Sequence, residues 1–229
     1  REVDELAPKL DVEASAEAVA HAISKKKALK PPRVIAYIKG VRQDVLKLVS
    51  RNVVRINPRY RTKVVETPTY LSAIFPSGGA MFLDFLTKRP FQVFLATTDP
   101  RRTPETSPAE LLNLLVHEEY GHCVHSSNSA MSFAAKPTLT EMLQSQAGSA
   151  VSEGIAFHRE IEFLDYLNEM KQRSPTGAER AFVKFLAKCG GAEEIFEEYA
   201  FFTRLWRIVR FLRVIGDARI NSDKQPLMD

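Results

Sequence analysis

The sequence predicts an α+β protein that is predominantly helical, with a small β region in its first half. Apolar residues recur at helical spacing along most of the chain, and helix-capping patterns precede two long apolar runs. Turn-forming proline and glycine residues concentrate between residues 60 and 106. With 229 residues and 45% hydrophobic content, the chain can bury a sizeable core. We expect an N-terminal helical segment over 1–58, continuing a missing upstream region, and a second domain over 59–229.

The first 106 residues are expected to hold two helices and then the β region. The first helix is expected over residues 1–29, and Pro31 and Pro32 form the break after it. The second runs from Arg33 to about Val54 and carries an apolar stripe. The strand candidates are Val64–Val65 and Phe91–Leu95, on either side of a turn at Pro76–Gly79.

Four further helices are expected after the β region. Ser107–Glu110 is a capping box with proline at the first helical position, so a helix begins at Pro108. A second capping box at Thr138–Glu141 begins a helix that runs to about Gln172. The last two helices are expected over about Ser174–Lys188, ended by two glycines, and over about Ala192–Ile220.

The most informative stretch is the hexapeptide His-Glu-Glu-Tyr-Gly-His at residues 117–122. It differs from the H-E-x-x-H zinc motif in one respect, because His122 lies five positions after His117 rather than four. Positions five apart are about 140° apart around an α-helix, so a regular helix cannot direct both imidazoles at one ion. A π-bulge absorbs one residue and restores a common face. We therefore expect a π-bulge between Glu118 and His122, at which Gly121 suits the distorted backbone.

Glu153 is the predicted third ligand. It lies on the next helix and shares a face with Glu160, seven residues further on. Its apolar neighbours, such as Ile155, indicate a buried carboxylate that needs a cation partner. The sequence thus predicts one Zn2+ per chain, held by His117, His122 and Glu153. Cys123 is expected to be a buried thiol rather than a ligand.

Several segments also resemble, in the same order, a gluzincin-like zinc metallopeptidase family of uncharacterised function. Its signature is His-Glu-Ala-x-Pro-Gly-His-His-x-Gln, followed later by Glu-Gly-Trp-Ala-Leu-Tyr-x-Glu. The matching positions are His117, Glu118, Tyr120, Gly121 and His122, then Glu153, Gly154, Ala156 and Glu160, with weaker matches at Glu66–Tyr70, Ala96–Pro100 and Arg213–Asn221. The chain departs from the family in lacking the proline before Gly121, which makes this loop one residue shorter, and in carrying Cys123 and Asn221 where the family has histidines. The resemblance implies a zincin fold, with the β region before the metal-binding helix.

The motif and the resemblance together imply a zinc-dependent hydrolase that cleaves peptide bonds. Glu118 is the expected general base, with Glu119 as the alternative. On the last helix Tyr199, Trp206, Arg210, Arg213 and Asp217 share one face, which we expect to line a cleft. Tyr199, Arg213 and His125 are the candidates for stabilising the oxyanion. The strand at residues 91–97 is expected to hold an extended peptide substrate by edge pairing.

The composition argues against a nucleic-acid partner and against a membrane partner. The net charge is only +4, and Lys25–Lys30 is the single tight basic cluster. No run of 18 apolar residues occurs, and two cysteines fit a reducing compartment, so we expect a cytoplasmic protein. Two other hypotheses remain open. One is a pseudoenzyme that keeps a structural metal, and the other is a basic helical module that binds nucleic acid or an acidic surface.

Overall fold

The structure, a computed structural model, describes residues 1–82, 92–98, 107–133, 146–189 and 192–221. It is mainly helical and contains one three-stranded sheet, as the sequence predicts. The helices are α1 (Glu2–Leu10), α2 (Ala16–Lys27), α3 (Pro31–Asn52), α4 (Pro108–Leu115), α5 (Val124–Phe133), α6 (Gln146–Gln172), α7 (Gly177–Cys189) and α8 (Ala192–Asn221). The strands are β1 (Thr62–Glu66), β2 (Gly78–Phe82) and β3 (Gln92–Ala96). A π-helical segment, Val116–Cys123, joins α4 to α5.

The N-terminal region differs from the single helix predicted over residues 1–29. α1 ends where Asp11 adopts a left-handed conformation with φ 57°, which aspartate tolerates better than most residues. The chain then restarts at α2, where the hydroxyl of Ser15 accepts a hydrogen bond from the backbone N–H of Ala18. Pro31 and Pro32 form the first turn of α3 rather than a break before it, because proline suits the start of a helix.

The sheet has the strand order β1-β3-β2. β3 pairs in parallel with β1 and antiparallel with β2, and all of its residues are buried. The prediction that this strand holds a substrate by edge pairing is therefore wrong, since both of its edges are already paired. β2 was not predicted, because Gly78 and Gly79 are typical of a turn. A Cβ at Gly79 would lie 2.3 Å from the ring of Phe75, so glycine permits this close packing.

The metal-motif helix forms as its spacing predicts. α4 begins at Pro108, and the hydroxyl of Ser107 accepts a hydrogen bond from the backbone N–H of Glu110 over 3.2 Å. The π-helical segment follows at Val116–Cys123, and it contains the predicted bulge between Glu118 and His122. The predicted start of the next helix at Thr138 lies outside the described residues, but α6 ends at Gln172 as expected.

The helices and the sheet pack around one hydrophobic cluster. α6 lies along the π segment, and α8 packs against α4 and α6. The largest fully buried side chains of the cluster include Phe94, Tyr120, Phe163, Phe182 and Tyr199. The metal motif is therefore carried by elements held in the core, which is where a ligand set can be kept rigid. No helix in the described ranges is long and apolar enough to cross a membrane.

A buried carboxylate, Glu179, stabilises the start of α7. It accepts hydrogen bonds from the guanidinium of Arg173, from the hydroxyl of Tyr166 and from the backbone N–H of Thr176. These donors, Arg173 first, hold the pKa of Glu179 below its ordinary value. This network lies apart from the metal motif and contributes to the stability of the fold.

Candidate metal centre

The three predicted metal ligands converge on one point between the π segment and α6. The Nε2 atoms of His117 and His122 lie 3.2 Å apart. One carboxylate oxygen of Glu153 lies 3.4 Å from Nε2 of His117, and the other lies 3.3 Å from Nε2 of His122. Among the described residues, these three side chains form a group able to hold a metal ion.

The distances within this cluster suit a tetrahedral metal. Ligand atoms about 2.0–2.1 Å from a tetrahedral zinc ion lie about 3.3–3.4 Å from one another. The 3.2 Å between the two Nε2 atoms matches an edge of such a tetrahedron. The carboxylate of Glu153 brings one oxygen within 3.4 Å of Nε2 of His117 and its other oxygen within 3.3 Å of Nε2 of His122. The described residues supply three protein ligands, and the side chain of Glu153 is 45% exposed. The residues present thus fit a divalent metal ion, and one of the three ligands is partly exposed to solvent.

Gly121 allows the π segment to approach α6 closely enough for the cluster to form. A Cβ at this position would lie 2.4 Å from Cβ of Ala156 and 2.5 Å from its Cα. Both distances are far below ordinary van der Waals contact, so no side chain fits here. The backbone of Gly121 therefore packs directly against Ala156 of α6, which lies about one turn after Glu153 on that helix.

Each imidazole is held by a hydrogen bond at its Nδ1 atom. His117 Nδ1 lies 2.6 Å from the carboxylate of Glu160, and His122 Nδ1 lies 2.9 Å from the hydroxyl of Ser152. Such partners leave Nε2 to face the metal position and fix the orientation of the ring. The seven-residue spacing from Glu153 had placed Glu160 on the correct face. No sequence signal distinguished Ser152, because serine is common on helix surfaces.

The cluster attracts positive charge. Burial alone would lower the pKa of His117, but its hydrogen bonds with Glu153 and Glu160 outweigh burial and raise that pKa from 6.5 to about 9. The same contacts with His117 and His122 lower the pKa of Glu153. Without metal, the carboxylates of Glu153 and Glu160 are thus stabilised by a proton on the imidazole. A metal cation replaces that proton as their charge partner.

Two neighbouring glutamates of the π segment have different environments. Glu119 is 0% exposed, lies 2.7 Å from the guanidinium of Arg42 and accepts a hydrogen bond of 2.9 Å from the hydroxyl of Tyr60. Glu118 is buried beside the cluster instead, where burial raises the pKa of its carboxyl while the imidazoles of His117 and His122 act in the opposite direction. Glu118 is therefore the carboxylate that interacts electrostatically with the metal cluster.

The stripe predicted on the last helix divides between the core and the solvent. Tyr199 is 0% exposed, and its hydroxyl donates to the backbone carbonyl of Glu160 over 3.2 Å. It supports the site from within the core and has no surface exposed to solvent. Arg213 is exposed on α8. Arg210, predicted on the same stripe, is the arginine that reaches the site, since it donates to Glu160 over 3.1 Å.

The other polar residues near the motif lie outside the ligand cluster. Cys123 is buried, as predicted, and burial raises the pKa of its thiol. His125 is half-buried one turn after His122; burial, followed by the charges of His122 and Arg159, lowers its pKa. Within the described part of the chain, neither joins His117, His122 and Glu153 in the metal group.

The arrangement can hold a divalent metal through two imidazoles and one carboxylate, with a second carboxylate beside it to accept a proton. Its ligands come from two helical segments that pack against each other, and the side chain of Glu153 is 45% exposed. No family model, curated protein or solved structure matches the chain.

Proposed function

We propose that the protein is a zinc-dependent hydrolase that cleaves peptide bonds. The observation that carries the proposal is the convergence of the Nε2 atoms of His117 and His122 on the carboxylate of Glu153, with distances of 3.2–3.4 Å. Structural zinc sites have four protein ligands, whereas catalytic sites have three and an open position. The resemblance of the motif order to gluzincin-like peptidases supports a peptide substrate.

The three ligands would hold zinc, which supplies a Lewis acid that polarises the scissile carbonyl and makes water more acidic. Glu118 accepts a proton from the water that attacks the carbonyl carbon. As the C–N bond breaks, Glu118 gives that proton to the leaving amine. Burial raises the pKa of Glu118, which makes its carboxylate a stronger proton acceptor than an exposed glutamate.

The environment of Glu119 favours Glu118 as the base. The carboxylate of Glu119 is fully buried and paired with Arg42, so proton transfer at that carboxylate would break a buried ion pair. It also accepts a hydrogen bond from the hydroxyl of Tyr60, which lies between α3 and β1 and is not part of the metal cluster. We therefore assign the two glutamates different roles, catalysis for Glu118 and stability for Glu119.

An extended substrate is expected to pair with β2 rather than with β3. β2 is an edge strand of the described sheet, and it packs against the π segment that carries both histidines. An exposed strand edge offers unpaired N–H and C=O groups to a peptide backbone. Such pairing would place the scissile bond beside the metal cluster and Glu118.

The test compares zinc content with hydrolysis of a fluorogenic peptide library. Glu118→Gln is expected to keep one zinc per chain and to lose hydrolysis by about 10²-fold or more, because an amide cannot accept the proton of water. Glu119→Gln is the matched control, expected to lower stability through the loss of the Arg42 pair while the folded variant keeps activity. Wild-type protein that binds one zinc but shows no zinc-dependent cleavage would instead favour a pseudoenzyme with a structural metal.

A further inference from the structure

Arg210 connects the last helix to the metal ligands. Most residues of α8 from Arg207 to Arg219 are exposed, but the guanidinium of Arg210 donates to Glu160 over 3.1 Å. We propose that Arg210 is a positioning residue, which fixes Glu160 and through it the ring of His117 in the orientation that a metal ion requires. The inference rests on the proposed function only in taking His117 as a metal ligand.

The contacts form a chain that passes through a single oxygen atom. Oε1 of Glu160 accepts from Nη1 of Arg210 and lies 2.6 Å from Nδ1 of His117. When Nε2 of His117 binds a metal, the proton of the imidazole is on Nδ1 and is donated to Glu160. Nη2 of Arg210 lies 3.4 Å from Nδ1, but a protonated Nδ1 cannot accept a hydrogen bond from it. Arg210 therefore acts on the metal-binding form of His117 through Glu160.

An aromatic ring fixes the guanidinium in place. Arg210 lies over the ring of Phe157, 4.3 Å from the ring centroid. The same ring packs against the imidazole of His117, with the centroids 5.5 Å apart. The arginine side chain is 27% exposed, so these contacts rather than enclosure hold it. A planar guanidinium that stacks and donates at once has one orientation, which lysine does not reproduce.

The two histidines are consequently held by different kinds of partner. Nδ1 of His117 contacts the carboxylate of Glu160, which also accepts a hydrogen bond from Arg210. Nδ1 of His122 contacts only the neutral hydroxyl of Ser152 among the described contacts. Outer partners of a metal ligand commonly change metal affinity by about 10–100-fold when removed. We infer that the network around His117 makes the larger contribution to zinc affinity, and that Arg210 is needed for it.

Zinc affinity, measured by competition with a fluorescent chelator, tests the proposal. Arg210→Met is expected to weaken zinc binding about tenfold, and Arg210→Lys less, because lysine keeps the charge without the stacking. Arg207→Met is the matched control, an exposed arginine three residues earlier on the same helix, and should bind zinc like wild type. The emission of Trp206, the one tryptophan of the chain, reports whether α8 stays docked in each variant.

A double-mutant cycle with Glu160→Met separates positioning from packing. If Arg210 acts through Glu160, Arg210→Met costs about tenfold alone and almost nothing when Glu160 is already methionine. The same loss in both backgrounds, or equal affinities for Arg210→Met and Arg207→Met, would refute the positioning role and leave the proposed metal site intact. Absence of zinc binding by wild-type protein would overturn both proposals. If Arg210→Met does not fold, Arg210→Lys and its double variant complete the same cycle.

Discussion

Replacing Gly121 with alanine tests whether the close contact between the π segment and α6 holds the metal ligands together. The added Cβ would lie 2.4 Å from Cβ and 2.5 Å from Cα of Ala156. Carbon atoms in contact are normally about 3.5–4.0 Å apart, so the overlap is about 1 Å. Neither atom of Ala156 is the end of a flexible side chain, and the overlap can be relieved only by moving the two elements apart.

The expected cost follows from that displacement. Overpacking of a core contact costs about 1–3 kcal/mol, against a gain of up to about 1 kcal/mol from the better helix propensity of alanine. We expect a net loss of about 1–2 kcal/mol, which lowers the Tm of a domain of this size by roughly 2–8 °C. A separation of about 1 Å also stretches the distances of 3.3 and 3.4 Å between Glu153 and the two imidazoles. Zinc affinity should therefore fall by about tenfold or more.

Gly154→Ala provides the matched control. Gly154 lies on α6 next to Glu153, it is exposed, and a Cβ there meets no atom within 4 Å. The same substitution should therefore stabilise the protein by about 0.5–1 kcal/mol and leave zinc affinity unchanged. Thermal unfolding and chelator competition measure both variants. If Gly121→Ala behaves like Gly154→Ala in both assays, the close contact does not position the ligands and the reasoning is refuted.

Two further outcomes are expected. His122→Ala and Glu153→Ala should each reduce zinc from one per chain to nearly none by elemental analysis, and unchanged zinc in either variant would remove that residue from the ligand set. Glu179→Gln should lower stability by about 2 kcal/mol at pH 7, because it removes the charge that Arg173 and the other donors stabilise. The folded pKa of Glu179 lies below its unfolded value of about 4.3, so its contribution is complete above that pH and disappears on acidification towards the folded pKa. Urea unfolding at pH 7 and pH 3 checks this, and a difference between variant and wild type that grows on acidification would contradict it.

The features that spacing within one helix determines were predictable from the sequence. The five-residue separation of His117 and His122 requires a π-bulge if both bind one ion, and the structure contains it. The capping box at Ser107 likewise fixes the start of α4. Glu153 was predicted as a ligand and lies at the cluster. Each of these follows from local geometry, with little dependence on how distant elements pack. The prediction that the carboxylate of Glu153 is buried is wrong, because its side chain is 45% exposed and the neighbouring Val151 is exposed as well.

The features that depend on how elements cross were not predictable. Helical periodicity groups Tyr199, Arg210 and Arg213 on one face of α8. It does not determine which part of that face is buried and which part is exposed. The sequence therefore indicated Tyr199 and Arg213 as candidates for stabilising the oxyanion, whereas Tyr199 lies in the core and Arg210 is the residue that contacts Glu160. β2 was missed for a similar reason. Glycine is typical of turns, and the packing of Phe75 against Gly79 depends on the folded sheet.

The additional residue in the π segment also contributes to the core. Without Tyr120, the sequence from His117 to His122 would read H-E-E-G-H, the regular four-residue spacing. Yet Tyr120 is buried, and its hydroxyl donates to the backbone carbonyl of Arg42 on α3. The guanidinium of the same arginine pairs with Glu119. Restoring the regular spacing would therefore cost a core aromatic residue. The residue that lengthens the histidine spacing is thus also one that ties the π segment to α3. A metal-binding pattern defined by interatomic distances would recognise such a site where one defined by residue spacing does not.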